Sequence, residues 1–113
     1  MTLHKLDLRP EPFKLIKHGK KIFELRLYDQ RRRLIQPLDR IEFSNRETEE
    51  KLLVSVESLH IFNNFKELYT AINSVDLGYQ QDEEISYKDM QQYYPLASQN
   101  NNKVVAIKIT LIN

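Results

Sequence analysis

The 113-residue chain contains no cysteine and no tryptophan, and glycine occurs only at positions 19 and 78. Without cysteine there is no disulfide framework and no thiolate zinc or redox site. Two isolated glycines exclude the Gly-rich loops that cradle phosphates, since those need several glycines at fixed spacing. No apolar run approaches the roughly 20 residues of a membrane-spanning helix. The opening stretch, residues 1–9, lacks an apolar core of leader-peptide length, so a cytoplasmic location with no membrane partner is expected. Hydrophobic residues make up 41% and charged residues 29%, too apolar for a disordered chain and ordinary for a folded one. The length suits one domain over residues 1–113 with a modest core.

The net charge of only +1 offers nucleic acid no overall attraction, but it conceals a division. Residues 1–46 carry 12 Lys/Arg against 6 Asp/Glu, and residues 47–113 carry 5 against 10. The basic residues gather at Lys14, Lys17, Lys20, Lys21, Arg26 and Arg31-Arg32-Arg33. A local basic field of this kind attracts phosphate even on a neutral protein; the alternative is a solvated face.

Residues 3–9 alternate as a half-buried strand. Arg9-Pro10-Glu11-Pro12 ends it, because a residue before proline is pushed out of the helical region. Proline is tolerated in a first helical turn, so a short helix with Phe13, Leu15 and Ile16 on its apolar side follows and closes at Gly19. Residues 21–28 read as a strand with Phe23, Leu25 and Leu27 on one face and Ile22, Glu24, Arg26 and Tyr28 on the other. Asp29 to Gln36 is an arginine-rich connection. Strands follow over 39–45 and 51–62. Asn64-Phe-Lys-Glu67 has the pattern of a capping box opening a helix through Ile72. Ser86 starts a weaker helix that stops by Tyr94-Pro95, Ser98–Asn102 reads as a polar loop, and residues 103–112 form a last strand. About five strands and three short helices without regular alternation predict an α+β fold: a small barrel or strongly curved sheet with flanking helices.

Three segments carry a family resemblance: Leu-Arg-Pro-Glu-Pro-Phe13, Gly-Lys-Lys-Ile-Phe-Glu-Leu-Arg26, and Pro37-Leu-Asp-Arg-Ile-Glu-Phe43. Together they resemble the ASCH domain of the PUA-like superfamily, whose usual pattern includes Gly-x-Lys-x-x-Glu-x-Arg. Tyr93-Tyr94-Pro95 and the final Val-Val-Ala-Ile-Lys-Ile resemble the family's closing elements. Leu38 stands where the family usually has glycine. The resemblance implies a PUA-like barrel of five or six strands with flanking short helices, and a cleft beside it for RNA or a nucleotide-like ligand.

Glu24 and Arg26 share a strand face close to Lys21. A guanidinium offers planar donors to phosphate or a base edge, a carboxylate accepts from an exocyclic amine or acts as a general base, and a desolvated lysine moves protons or attacks carbonyls. An ordinary surface ion pair is the alternative. Lys20, Lys21, Glu24, Arg26, Arg31, Arg32, Arg33 and Tyr93 are the expected ligand-binding residues. Tyr28, Tyr87 and Tyr94 are further stacking candidates, unless they are half-buried core residues. Some members resembling this chain hydrolyse the acetyl amide of N4-acetylcytidine, using a Gly-x-Lys-Thr-x-Thr-x-Arg segment and a distant glutamate. Lys21 matches their lysine, but Glu24 replaces the second threonine, and a carboxylate cannot repeat a hydroxyl's work as nucleophile. The distant glutamate would fall near Asp82-Glu83-Glu84, residues that also suit a helix N-terminus. An RNA- or nucleotide-binding protein is therefore the first expectation. A small amidohydrolase with Lys21 and Glu24 as its catalytic pair is the alternative. His4, His18 and His60 lack ligand spacing, so neither metal nor cofactor is expected.

Overall fold

The computed structural model describes residues 1–112. Five strands, β1 (Leu3–Leu8), β2 (Phe23–Leu27), β3 (Arg40–Asn45), β4 (Lys51–Phe62) and β5 (Val104–Leu111), form one sheet in the order β1-β3-β4-β5-β2. Only β1 and β3 run parallel. β4 is long enough to pair with β3 through its first half and with β5 through most of its length, and a bulge between Val56 and Ser58 breaks its register. Such a bulge bends a strand and sharpens its twist. The sheet curls into a half-barrel, an α+β arrangement with helices at its flanks.

Helix α1 (Pro10–Lys17) plugs the inside of the curl with Phe13 and Ile16. Proline opens it at its first turn, where the missing N–H has no helical partner to lose. It ends in a Schellman motif: Gly19, at φ +73°, donates to the Ile16 carbonyl and Lys20 to the Leu15 carbonyl. The inner core is completed by Leu6, Leu8, Ile41, Phe43, Val54, Val56, Val105, Ile107 and Ile109. On the opposite side of β2 and β5, Phe23, Leu25, Val104 and Ala106 pack against Phe65 and Leu68 of α2 (Phe65–Ala71) and against Leu77. Residues Val104–Ile107 are consequently buried on both faces. Asn64 caps α2 by accepting the Glu67 N–H, while the Glu67 carboxylate accepts the Asn63 N–H, one residue before the expected reciprocal bond.

Two expectations are corrected. Ser98–Asn102 is not a loop but part of α3 (Leu96–Asn102). Its sequence has weak helix propensity, yet buried Gln99 holds it: Oε1 accepts the Phe65 N–H and Nε2 donates to the Tyr94 carbonyl. The helix expected from Ser86 is a 3-10 helix over Tyr87–Gln92.

Strands β1 and β3 are pinned by Asp39. Its Oδ2 receives His4 Nε2 at 2.8 Å and the Gln36 N–H, and its Oδ1 receives the Thr2 N–H. The preceding turn has proline at its second position, Leu38 at φ +75° at its third, and an Asp39 N–H to Gln36 carbonyl bond, the pattern of a type II turn that normally takes glycine at that third place. Leu38 is exposed, so no packing compensates for the backbone conformation. Leu38→Gly should stabilise the protein by about 0.5–1 kcal/mol, the relief of the left-handed strain less glycine's chain entropy, as read by denaturant unfolding.

The His4 hydrogen bond, aided by the two backbone N–H groups, lowers the Asp39 carboxyl from 3.8 to about 2. The folded state thus favours the ionised form. Its contribution is complete above the unfolded carboxyl's pKa and is lost as pH falls from near 4 through about 2. Asp39→Asn should lower stability at pH 7 by about 2 kcal/mol and flatten the acid limb of the stability curve in that window.

Candidate functional site

The Schellman turn after α1 delivers Lys21 to the start of β2, where its backbone bridges to Leu77. Glu24 and Arg26 follow two and four residues after Ile22, so the two-residue period of the strand puts both on one face, with Leu25 between them on the other. Arg26 Nε donates to Glu24 Oε2 at 2.8 Å, and Lys21 Nζ stands 3.7 Å from Glu24 Oε1. The side chains of Lys21, Glu24 and Arg26 are only 13%, 5% and 12% exposed. Arg26 Nη2 also donates to the Asp7 carbonyl at 2.8 Å. Asp7 lies on β1 and Arg26 on β2, the two edges of the sheet. One guanidinium therefore joins both edges of the half-barrel and holds Glu24 between two cations. Burial alone would pull Arg26 down, but the charge and hydrogen bond of Glu24 keep its pKa above the ordinary value.

These three residues line a cleft of about 850 Å³. The C-terminal end of β1 (Asp7, Leu8), Arg9, Arg46 and the start of α1 form part of its wall; Leu77, Gly78, Tyr79 and Tyr69 form another, and Glu83, Asp89, Met90, Gln92, Tyr93 and Tyr94 close a third side. Gly78, at φ +100°, presses on Lys21: a Cβ there would stand 3.1 Å from Leu15 Cδ1 and 3.3 Å from Lys21 Cβ. Tyr69 and Tyr79 share a hydrogen bond of 2.9 Å. Burial and that bond push the Tyr69 phenol upward. Burial also raises Tyr94, against the opposing charge of Arg26, and its ring stacks on Phe65. The Arg9 guanidinium sits 4.5 Å above the Tyr93 ring, joining the start of α1 to the segment across the cleft.

Of the residues singled out in the sequence, Lys21, Glu24, Arg26, Tyr93 and Tyr94 line this cleft, as does Glu83 but not Glu84, while Tyr28 and Tyr87 lie outside its lining. Glu83 accepts the Gln80 N–H rather than capping the 3-10 helix, which Ser86 caps. Lys20, Arg31, Arg32 and Arg33 lie outside the cleft lining. Arg32 pairs with Asp29 at 3.1 Å, and Arg33 stacks on Tyr28 and donates to the Asn102 carbonyl. Arg32 is still close enough to Tyr94 for its charge to act on the phenol. Asp7, Arg9, Arg46, Tyr69, Tyr79 and Asp89 escaped the sequence reading; Gly78 was visible as one of two glycines, but its role was not. Among the described residues no group of three His, Cys, Asp or Glu side chains could hold a metal ion, and no helix is long and apolar enough to cross a membrane.

The sequence matches the ASCH domain over residues 6–113. A search of curated proteins finds no match. Among solved structures, the fold is similar to the crystal structure of hypothetical protein PH0355, with 32% identity and a TM-score of 0.82 over 99% of this chain and 100% of that one. It is also similar to the solution structure of protein PF0455 from Pyrococcus furiosus, with 29% identity and a TM-score of 0.70 over 98% of each chain. The crystal structure of ASCH from Zymomonas mobilis, at 18% identity, shares the fold with a TM-score of 0.68 over 98% of this chain and 73% of that one.

Removing one partner of a buried ion pair is more damaging than removing both, because the survivor stays desolvated. Arg26→Met should destabilise the protein by about 2–3 kcal/mol, less than a fully isolated charge would because Lys21 stays near Glu24. The double variant Glu24→Gln/Arg26→Met should fall well short of the sum of the two single losses in denaturant unfolding.

Proposed function

The chain belongs to the ASCH domain family, and from that premise we propose that the cleft binds a nucleotide, free or within single-stranded RNA. The observation that carries this reading is the buried Glu24 carboxylate flanked by Lys21 and Arg26 beneath tyrosine walls. Arg26 directs Nε and one Nη2 donor to protein acceptors, which leaves donors for a ligand. Lys21 Nζ is too far from Glu24 to be held by a tight hydrogen bond and can turn toward a phosphate or carbonyl oxygen. Hydrogen bonds to charged groups contribute about 1.5–3 kcal/mol each, and a base stacked on a tyrosine about 1–3 kcal/mol. Tyr69, Tyr79 and Tyr94 line the cleft and offer such faces, and Tyr93 lines it with Arg9 stacked on its ring. A longer RNA would leave the cleft past Lys20 and the turn Arg31–Arg33, whose arginines would meet its phosphates.

The charges lining the cleft nearly balance: Arg9, Lys21, Arg26 and Arg46 against Asp7, Glu11, Glu24, Glu83 and Asp89. Binding confined to the cleft should therefore depend weakly on salt, with a slope of log K against log salt no steeper than about −2. Isothermal titration with mononucleotides and short single-stranded RNA tests the reading. Lys21→Ala should weaken binding by about tenfold or more, the loss of one charge-assisted hydrogen bond. Absence of binding to every nucleotide and RNA tried would overturn the reading.

A second reading rests on the proximity of Lys21 and Glu24. In hydrolysis of N4-acetylcytidine, water would add to the acetyl carbonyl as Glu24 accepts its proton. The C–N bond would then break as Lys21 delivers a proton to the departing cytosine N4, leaving acetate and cytidine. Chromatographic release of cytidine that disappears in Lys21→Ala and in Glu24→Gln would support this chemistry; release that survives both changes would exclude it.

A further inference from the structure

Around the Lys21–Glu24–Arg26 group the cleft is lined by two further sets of charged groups, Arg9 and Arg46 with Asp7 and Glu11 beside them, and Glu83 with Asp89. Arg9 and Arg46 have no carboxylate partner within 4 Å among the described residues, and neither Glu83 nor Asp89 has a cationic one. The two sets are held apart. Arg9 directly follows β1, and Arg46 directly follows the parallel β3 and donates its backbone N–H to the Leu8 carbonyl, so both arginines line the cleft from the same end of that strand pair, beside the Arg26 contact to Asp7. Asp89 lies where its charge acts on Tyr69, which is bonded to Tyr79, and Glu83 folds back on Gln80 in the same segment. Asp89 stands four residues before Tyr93, where Arg9 stacks, along a segment that is mostly 3-10 helix, a backbone rise of about 8 Å.

Resting on the nucleotide reading, we infer that the cleft orients its ligand: phosphate at the Arg9–Arg46 end and base at the Tyr69–Tyr79 end. Guanidinium groups match phosphate oxygens in bidentate fashion. At the other end ionised carboxylates only accept hydrogen bonds. With Lys21 beside Gly78 at that end to donate to one carbonyl, they favour a base whose edge presents adjacent N–H donors next to a single carbonyl, guanine among the common bases, over uracil, whose single N–H is flanked by two carbonyls. The ligand class is thus a guanine nucleotide bearing a terminal or bridging phosphate.

The test is calorimetric titration of the intact protein with GMP, guanosine and UMP. GMP should bind at least about tenfold more tightly than UMP. Arg46→Ala, and independently Arg9→Ala, should weaken GMP about tenfold while leaving guanosine within about twofold. Asp89→Asn combined with Glu83→Gln should weaken GMP and guanosine alike. These side chains are exposed, so the variants should keep the fold. Equal losses for GMP and guanosine in the arginine variants, or UMP binding as tightly as GMP, would overturn the orientation while leaving nucleotide binding intact. Failure of all three ligands to bind would overturn this inference, and if single-stranded RNA also failed, the nucleotide reading with it.

Discussion

The Arg26 guanidinium is the contact on which the rest of the site depends. A five-stranded sheet has two edges, and in this protein they are β1 and β2. Arg26 reaches from one to the other by donating to the Asp7 carbonyl, and through Nε it fixes Glu24. A charge this deeply placed is tolerable only because its donors meet a carboxylate and a carbonyl. Closure of the half-barrel and construction of the cleft floor are therefore one event.

Strand β5 supports that floor from behind. Its first half, Val104–Ile107, is buried on both faces, and it pairs with β2 along the whole of Phe23–Leu27. On its inner side it meets the plug formed by Phe13 and Ile16; on its outer side it meets α2. The outer layer also sets the tyrosines. Gln99 fastens the Tyr94 carbonyl to the N-terminus of α2, and Tyr69 on α2 fastens Tyr79. A ligand thus meets aromatic side chains already positioned by packing, which reduces the entropy lost on binding.

Much of this was legible in local pattern. Gly19 marks a helix end, and the two-residue period after it puts Glu24 beside Arg26. The alternating apolar residues of β3 and β5 announce strands. Other features depend on contacts far apart in sequence. Helix α3 has a polar sequence and forms around one buried glutamine, so propensity pointed elsewhere. The triple arginine at 31–33 reads as a free basic loop, but Asp29 engages Arg32, and Tyr28 with the Asn102 carbonyl engages Arg33. The cleft draws residues from Asp7 to Tyr94, and no local period links Arg46 to Arg9 or Tyr69 to Tyr79. Leu38 was visible as a departure from the family's glycine, and its positive φ gives that departure a physical meaning.

The central claim is that ligands enter the Lys21–Glu24–Arg26 cleft rather than the basic outer surface. The most direct measurement is an amide chemical-shift map of isotope-labelled protein titrated with a short single-stranded RNA. The account expects the largest changes at Lys21, Glu24, Arg26, Gly78 and Tyr79, with smaller ones at Arg31–Arg33. Changes confined to Lys14, Lys17, Lys20 and the Arg31–Arg33 turn, with the cleft amides unmoved, would contradict it.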